Sequence, residues 1–322
     1  MDNVLKVTPS PHAKGSASTR RIMLDVIIAL IPALIASVYY FGTRALLLTA
    51  VCVVSCVLFE FISRKVMKRE NTIGDLSAVV TGLLLAYNLP STLPIWMAVL
   101  GCAVAIIVVK QMFGGIGQNF VNPAIAGRIV LTVSFASHMT NWVLPQTVSQ
   151  DAQTTATALK TLDTFRGSGN DFSSLPSLMQ MFLGERAGCL GETCAAAILL
   201  GFIYLLVRRV ISPVIPLCFV GTVAVIMLFV GEFDTTFVLY EVLSGGLLLG
   251  AVFMATDYTT SPLTPWGKVI FAVGCGIITC LIRIFGNLPE GVSFSIILMN
   301  ILVPHIEKLT RPRVFGEGGA KK

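Results

Sequence analysis

The 322-residue chain contains 55% hydrophobic and only 12% charged residues, and its formal net charge is +6. A soluble domain carries roughly 25% charged residues, so this composition excludes an ordinary globular protein. Continuous apolar runs approach the about 20 helical residues that cross a bilayer, and they lack the alternation of a membrane β-barrel. The sequence therefore predicts an all-α polytopic membrane protein. The positive charge lies in loops, which indicates membrane topology rather than a nucleic-acid partner.

Ten apolar segments are candidate transmembrane helices. In chain order they are 22–41, 44–63, 74–89, 94–112, 122–138, 193–209, 212–230, 240–256, 266–284 and 292–309. Basic residues precede the first segment and follow the second, fourth, sixth and tenth, and the positive-inside rule places them in the cytoplasm. Both termini are therefore expected in the cytoplasm. The polar start of the chain has no apolar signal-peptide core, so the first span is expected to act as the insertion signal.

The two membrane parts of the chain have related patterns. Residues 72–130 and 240–302 each contain a short small-residue helix, a polar break with proline, a tryptophan, a long apolar span and a glycine-rich break. Five spans in each part give them opposite orientations, which predicts an inverted repeat with interrupted helices. The predicted parts are a cytoplasmic segment (1–21), two five-helix repeats (22–138 and 193–309), an extracytoplasmic loop (139–192) and a cytoplasmic tail (310–322).

Cysteine spacing gives no sign of a metal centre. Six of the eight cysteines lie in apolar segments and none forms a CxxC pair, so no zinc or iron–sulfur ligand is assigned. Cys189 and Cys194 flank the end of the polar loop. They are expected to pair if the compartment is oxidising, and to stay free otherwise.

Two polar runs interrupt the apolar segments. The run 114–128 is too polar to face lipid, so it is a cytoplasmic turn before a helix that begins at Pro123, a ligand site, or both. The run 254–268 places Asp257 among threonines, where its carboxylate either binds a cation or cofactor ring or lies in an interfacial helix-terminal turn. The candidates for a cofactor site or an ion path are Asn119, Asn122, Asp257 and Glu290.

Other ionisable side chains lie near the ends of apolar segments. Arg283 and Glu290 flank a matching break at 285–289 and are predicted to pair with each other or to lie in headgroup water. Three carboxylates near cytoplasmic ends are predicted to lie in the membrane interface rather than in an ion relay: Asp25, Glu60 and Asp75.

A row of threonines stands out in the long polar loop. Residues 154–159 read Thr-Thr-Ala-Thr-Ala-Leu, which on physical grounds alone is typical of a solvated turn. Apolar residues at helical spacing predict a short interfacial helix just after Ala158 and a second one over 171–182. No nucleophile–base pair is evident in this loop.

The run 154–159 resembles the flavinylation signal of the RnfD/NqrB family, which reads approximately Ser/Thr-Gly/Ala-Ala-Thr, then a small residue or Pro, then Leu. The segments 114–128, 254–268 and 283–300 are similar to the family's other signatures and follow in the same order. The resemblance covers nearly the whole chain. The short N-terminal region is closer to the RnfD branch of the family than to NqrB.

This resemblance implies an FMN joined through its phosphate to the hydroxyl of Thr157. Thr155 stands where the family often has glycine and is the less favoured alternative acceptor. The attachment would require a flavin transferase acting outside the cytoplasm. A second, non-covalent flavin such as riboflavin is compatible with the membrane breaks.

The resemblance also implies a subunit, not catalytic alone, of a complex that couples electron flow between ferredoxin and NAD to Na⁺ or H⁺ translocation. Its partners would be the other Rnf subunits in a prokaryotic cytoplasmic membrane. The implied fold is similar to that of urea transporters, with ten transmembrane helices. A channel or solute transporter without a redox role is therefore the alternative, because fold alone does not decide function.

Overall fold

The computed structural model describes residues 18–145, Leu162, 175–286 and 291–311. Its principal elements are helices, numbered here in chain order: α1 Thr19–Phe41, α2 Thr43–Val66, α3 Ser77–Tyr87, α4 Ile95–Gln111, α5 Pro123–Ser134, α6 Ala195–Val207, α7 Val214–Val230, α8 Thr235–Leu243, α9 Leu247–Met254, α10 Pro265–Phe285 and α11 Val292–Thr310. The second part of α4 and the second part of α9 have π-helical hydrogen bonding.

Among the described residues, four helices are long and apolar enough to cross a membrane: α1, α2, α10 and α11. The bent pair α8–α9 is a fifth candidate if it forms one span, and α3 to α7 are shorter apolar helices. The expected polytopic helical membrane class is confirmed. Each of the ten predicted segments falls on a helix or on the bent pair, whereas the number of crossings stays a prediction.

The predicted span 240–256 contains a bend. α8 and α9 meet at a bend of 66° around the segment 244–246. Gly245 has a φ of 63°, a left-handed conformation that glycine adopts without steric cost. The carbonyl of Ser244 at the bend accepts a hydrogen bond from Arg283. The bend is therefore stabilised by a contact that is distant in sequence.

The order of elements repeats between the two halves. α3, a polar break, α4, a glycine-rich break and α5 follow one another in the first half. α9, a polar break, α10, a break at 286–291 and α11 follow in the same order in the second half. This order matches the sequence repeat.

Backbone carbonyls at the polar break after α3 accept hydrogen bonds from the far end of the polar loop. Leu190 N–H donates to the Leu89 carbonyl at 3.1 Å and Gly191 N–H donates to the Tyr87 carbonyl at 3.0 Å. Non-helical backbone at membrane depth persists where protein groups satisfy it in this way. The loop end at 184–194 thus packs against the end of α3.

Two predictions for the polar loop have different outcomes. The helix predicted over 171–182 begins only at Leu178, because Ser177 and Gln180 form a capping box. The helix predicted after Ala158 lies outside the described residues except for Leu162, which is helical and fully buried. Cys189 and Cys194 are both free thiols.

Candidate functional site

A cavity of about 100 Å³ lies between the two interrupted halves. Its walls come from α1, α3, α6 and the two polar runs 114–128 and 254–268, and most of the lining side chains are apolar. The polar groups among its lining residues include Lys110, Asn119, Asn122, Asp257 and Thr259.

The structure brings three of the four predicted membrane-site residues to this cavity. Asn119, Asn122 and Asp257 all line it, although they belong to breaks more than a hundred positions apart. Glu290 lies outside the described residues. The two breaks therefore line one cavity.

Asn122 stabilises the wall of the cavity. Its side-chain oxygen accepts hydrogen bonds from the backbone N–H groups of Ala124 and Ile125 and caps α5, where Pro123 occupies the first position. Its amide nitrogen donates to the Met254 carbonyl at 3.3 Å. Both ends of the side chain are thus engaged, so Asn122 is a positioning residue that joins α5 to α9.

Asn119 in the run 114–128 and Asp257 in the run 254–268 both form hydrogen bonds with Thr259. The Asp257 carboxylate accepts hydrogen bonds from Thr259 N–H at 3.2 Å, from Thr259 Oγ1 at 3.0 Å and from Thr260 Oγ1 at 3.3 Å. Asn119 Nδ2 donates to Thr259 Oγ1 at 3.3 Å. Asp257 therefore lies in a helix-terminal turn, and that turn lines the cavity.

The run 114–128 likewise combines a turn and a cavity wall. Gly114, Gly115 and Gly117 have positive φ angles, so the chain reverses between α4 and α5. A Cβ on Gly115 would overlap the guanidinium of Arg64. Glycine is therefore favoured at Gly115 by its φ angle, and a larger residue would also displace the end of the Arg64 side chain.

Lys110 and Glu60 form a buried ion pair beside the cavity. Lys110 Nζ lies 3.0 Å from Glu60 Oε2, and their side chains are 3% and 0% exposed. Gln111 Nε2 and Thr72 Oγ1 each donate to Glu60 Oε1 at 2.9 Å. Donors from three other positions replace water around the Glu60 carboxylate, and its predicted interfacial depth stays a prediction.

A similar arrangement occurs in the second half. Arg283 NH1 lies 3.0 Å from Glu241 Oε2, and their side chains are 1% and 0% exposed. Arg283 also donates to the Ser244 carbonyl, and Lys110 donates to the Ser77 hydroxyl at the matching position of the sequence repeat. The prediction that Arg283 lies in headgroup water is wrong. Its pairing with Glu290 lies outside the described residues.

The other two carboxylates near cytoplasmic ends have local roles. Asp25 accepts hydrogen bonds from Arg208 and from the Tyr204 hydroxyl, at 3.0 to 3.3 Å. Asp75 accepts from the Ser77 N–H and hydroxyl at the start of α3. Neither contributes a lining group to the cavity.

Sequence reasoning missed Arg128. This buried side chain donates to Asn88 Oδ1 at 2.6 Å and to Ser293 Oγ at 3.0 Å. It therefore connects the polar break after α3 to the start of α11. The signal was available, because an arginine within a predicted span is a functional candidate by default.

The predicted flavin acceptor Thr157 and its alternative Thr155 lie outside the described residues. Within the part of the chain that is described, no three histidine, cysteine or acidic side chains group into a metal site.

The fold and the cavity define a helical membrane protein with a cavity between interrupted helices. The sequence model of the NQR2, RnfD, RnfE family matches residues 6–316, and the chain belongs to this family. It is 46% identical to the D component of the Na⁺-translocating ferredoxin:NAD⁺ oxidoreductase complex of Acetobacterium woodii, over 99% of this chain and 97% of that protein.

Two further relatives have related names. The D component of the proton-translocating ferredoxin:NAD⁺ oxidoreductase complex of Clostridium ljungdahlii is 40% identical over 98% of this chain and 97% of its own length. The D component of the ion-translocating oxidoreductase complex of Stutzerimonas stutzeri is 38% identical over 95% and 94%.

Proposed function

We propose that this chain is the D-type membrane subunit of an ion-translocating ferredoxin:NAD⁺ oxidoreductase complex. The observation that carries the proposal is the 46% identity over nearly the full length of both chains to a subunit of that name. One relative is named for Na⁺ and another for H⁺, so the similarity supports cation translocation without choosing the cation. The chain acts with the other subunits of the complex and is not catalytic alone.

The electron-carrying role depends on a covalent FMN at Thr157, attached through a phosphoester. The support is the run 154–159, in which Ala156 and Ala158 leave room for a flavin transferase to reach the hydroxyl. Peptide mass spectrometry of chain expressed with its transferase tests the site. The expected result is a mass increase of one FMN less one water on Thr157. The same increase on Thr155 would contradict the assignment.

The cavity is proposed to hold a second, non-covalent flavin such as riboflavin. Its residues suit a flat ring with polar edges, because Phe253, Leu84 and Val80 provide apolar walls while Lys110 and Asp257 provide polar groups. A flavin supplies one- and two-electron chemistry, whereas the chain supplies position and charge. An ion path through the same residues is the alternative use of this cavity.

The chain is further proposed to cross a prokaryotic cytoplasmic membrane ten times, with both termini inside and the loop 139–192 outside. The support is the repeated order of elements and the two similar buried ion pairs, Lys110–Glu60 and Arg283–Glu241. Thiol labelling of single cysteines introduced at Ser18 and at Gln153 tests this topology. The proposal predicts that an impermeant reagent applied to cells labels the second position only.

A complementation experiment tests the complex role. Membranes from a strain lacking this subunit are expected to lose ferredoxin-dependent NAD⁺ reduction and the accompanying cation gradient. The wild-type gene is expected to restore both activities, and the Thr157→Ala variant is expected to restore neither. Full restoration by Thr157→Ala would contradict a redox role for the loop and would favour the channel alternative.

A further inference from the structure

Lys110 has an unusual position for a cation in a membrane domain. It is 2% exposed, and among the described residues that line the cavity it carries the only positive charge. It lies in the π-helical end of α4, where Lys110 and the next residue, Gln111, both reach Glu60. π-helical segments occur often at functional sites.

The ammonium group of Lys110 has one donor left for the cavity. An ammonium carries three N–H donors. Glu60 Oε2 accepts one and Ser77 Oγ accepts another, and the described residues provide no acceptor for the third. Lys110 also attracts the Asp257 carboxylate electrostatically, so the cation acts on the groups of the cavity.

Glu60 partly cancels this charge. Its carboxylate is fully buried and is held in place by Gln111 and Thr72 as well as by Lys110. The pair therefore presents the cavity with a dipole whose positive end is the ammonium. Loss of the lysine charge would make the electrostatic potential in the cavity more negative. Loss of the glutamate charge would make it more positive.

We propose that the Lys110–Glu60 pair sets the reduction potential of the flavin in the cavity, with Lys110 donating its third N–H to the flavin ring. This inference rests on the proposed non-covalent flavin. Adding two electrons and one proton to a flavin ring leaves one extra negative charge, and Lys110 stabilises that charge. Charge near the ring tunes flavin electronics, and charge-assisted hydrogen bonds are roughly twice as strong as neutral ones. The electrons come from the upstream carriers of the complex.

The experiment uses the purified complex in a Thr157→Ala background, which removes the flavin proposed for that position from the signal. Non-covalent flavin is first quantified after release by denaturation. The midpoint potential of that flavin is then measured by equilibrium redox titration of its absorbance. The variants are Lys110→Met, Lys110→Arg and Glu60→Gln, and Lys65→Met is a matched control because Lys65 is an exposed lysine on α2.

Lys110→Met is expected to weaken binding of the reduced flavin relative to the oxidised flavin at least tenfold. For a two-electron couple this equals a potential about 30 mV more negative. Glu60→Gln is expected to shift the potential in the positive direction, because the lysine charge is no longer cancelled. Lys110→Arg and Lys65→Met are expected to stay near the wild-type value.

Two outcomes would overturn the inference. In the first, the flavin midpoint potential of Lys110→Met and of Glu60→Gln equals that of the wild type. In the second, both variants shift the midpoint potential in the same direction. An ion pair with a purely structural role predicts one of these two results. Glu60→Gln alone keeps the test decisive if Lys110→Met does not fold. Absence of releasable flavin from the wild-type complex would refute the proposed non-covalent flavin itself. The quantification of released flavin detects this outcome before any potential is measured.

Discussion

Gly201 on α6 allows a close approach between α6 and α1. A Cβ at this position would overlap the carbonyl oxygen of Ala29 and would lie 2.8 Å from Cζ of Phe253. Cβ contacts under 3.0 Å are essentially never found in proteins, so Gly201→Ala forces the helices apart. Since Phe253 lines the cavity, the substitution also displaces a wall of the candidate site.

The change in the free energy of unfolding caused by Gly201→Ala has two opposing contributions. Overpacking of a core costs about 1–3 kcal/mol. Replacing glycine by alanine inside a helix stabilises it by up to about 1 kcal/mol. Gly221 on α7 is the matched control, because a Cβ there meets nothing within 4 Å. The difference between Gly201→Ala and Gly221→Ala therefore isolates the steric cost of about 1–3 kcal/mol.

A thiol-reactive dye that fluoresces on alkylation provides the assay, because the structure has free cysteines in its core, such as Cys52 and Cys275. At about 2 °C per kcal/mol, Gly201→Ala should unfold about 2–6 °C below Gly221→Ala. Releasable flavin should also fall only in Gly201→Ala. Equal unfolding temperatures for the two variants would refute the close approach of α6 and α1.

Three other outcomes are expected. Arg283→Met removes the cation of a fully buried pair with Glu241 and should cost about 3–5 kcal/mol, measured by unfolding of the purified protein. Asp25→Asn should cost less, about 1–3 kcal/mol in the same assay, because Asp25 is buried and hydrogen-bonded while its partner Arg208 is 39% exposed. Burial raises the pKa of the Cys189 thiol to about 12, so at pH 8 this residue should resist alkylation until the protein unfolds, as peptide mass spectrometry would detect. Rapid alkylation of folded protein would contradict its burial.

The sequence predicted the helices better than it predicted their breaks. Apolar runs predicted the helical segments, because long apolar stretches have few alternatives in a bilayer. The 66° bend at 244–246 was missed, because Arg283 approaches Ser244 from 39 positions away. Such a contact leaves no local pattern.

The candidate site was predicted in part. Polar residues in both breaks indicated a shared site, and Asn119 and Asp257 do meet through Thr259. The cavity cation was missed, because Lys110 was assigned to the cytoplasmic end of a span by the charge rule alone. Its partner Glu60 lies 50 positions away, so only the tertiary structure shows that the two residues are buried together.

The covalent flavin is tested most directly by in-gel fluorescence of the denatured chain, expressed with its flavin transferase. Wild-type chain is expected to fluoresce, because a phosphoester survives denaturation whereas a non-covalent flavin is lost. Thr157→Ala is expected to be dark, and Thr155→Ala is expected to fluoresce like the wild type. Fluorescence that persists in Thr157→Ala would contradict the assigned attachment site. A dark wild-type chain would contradict the covalent flavin altogether.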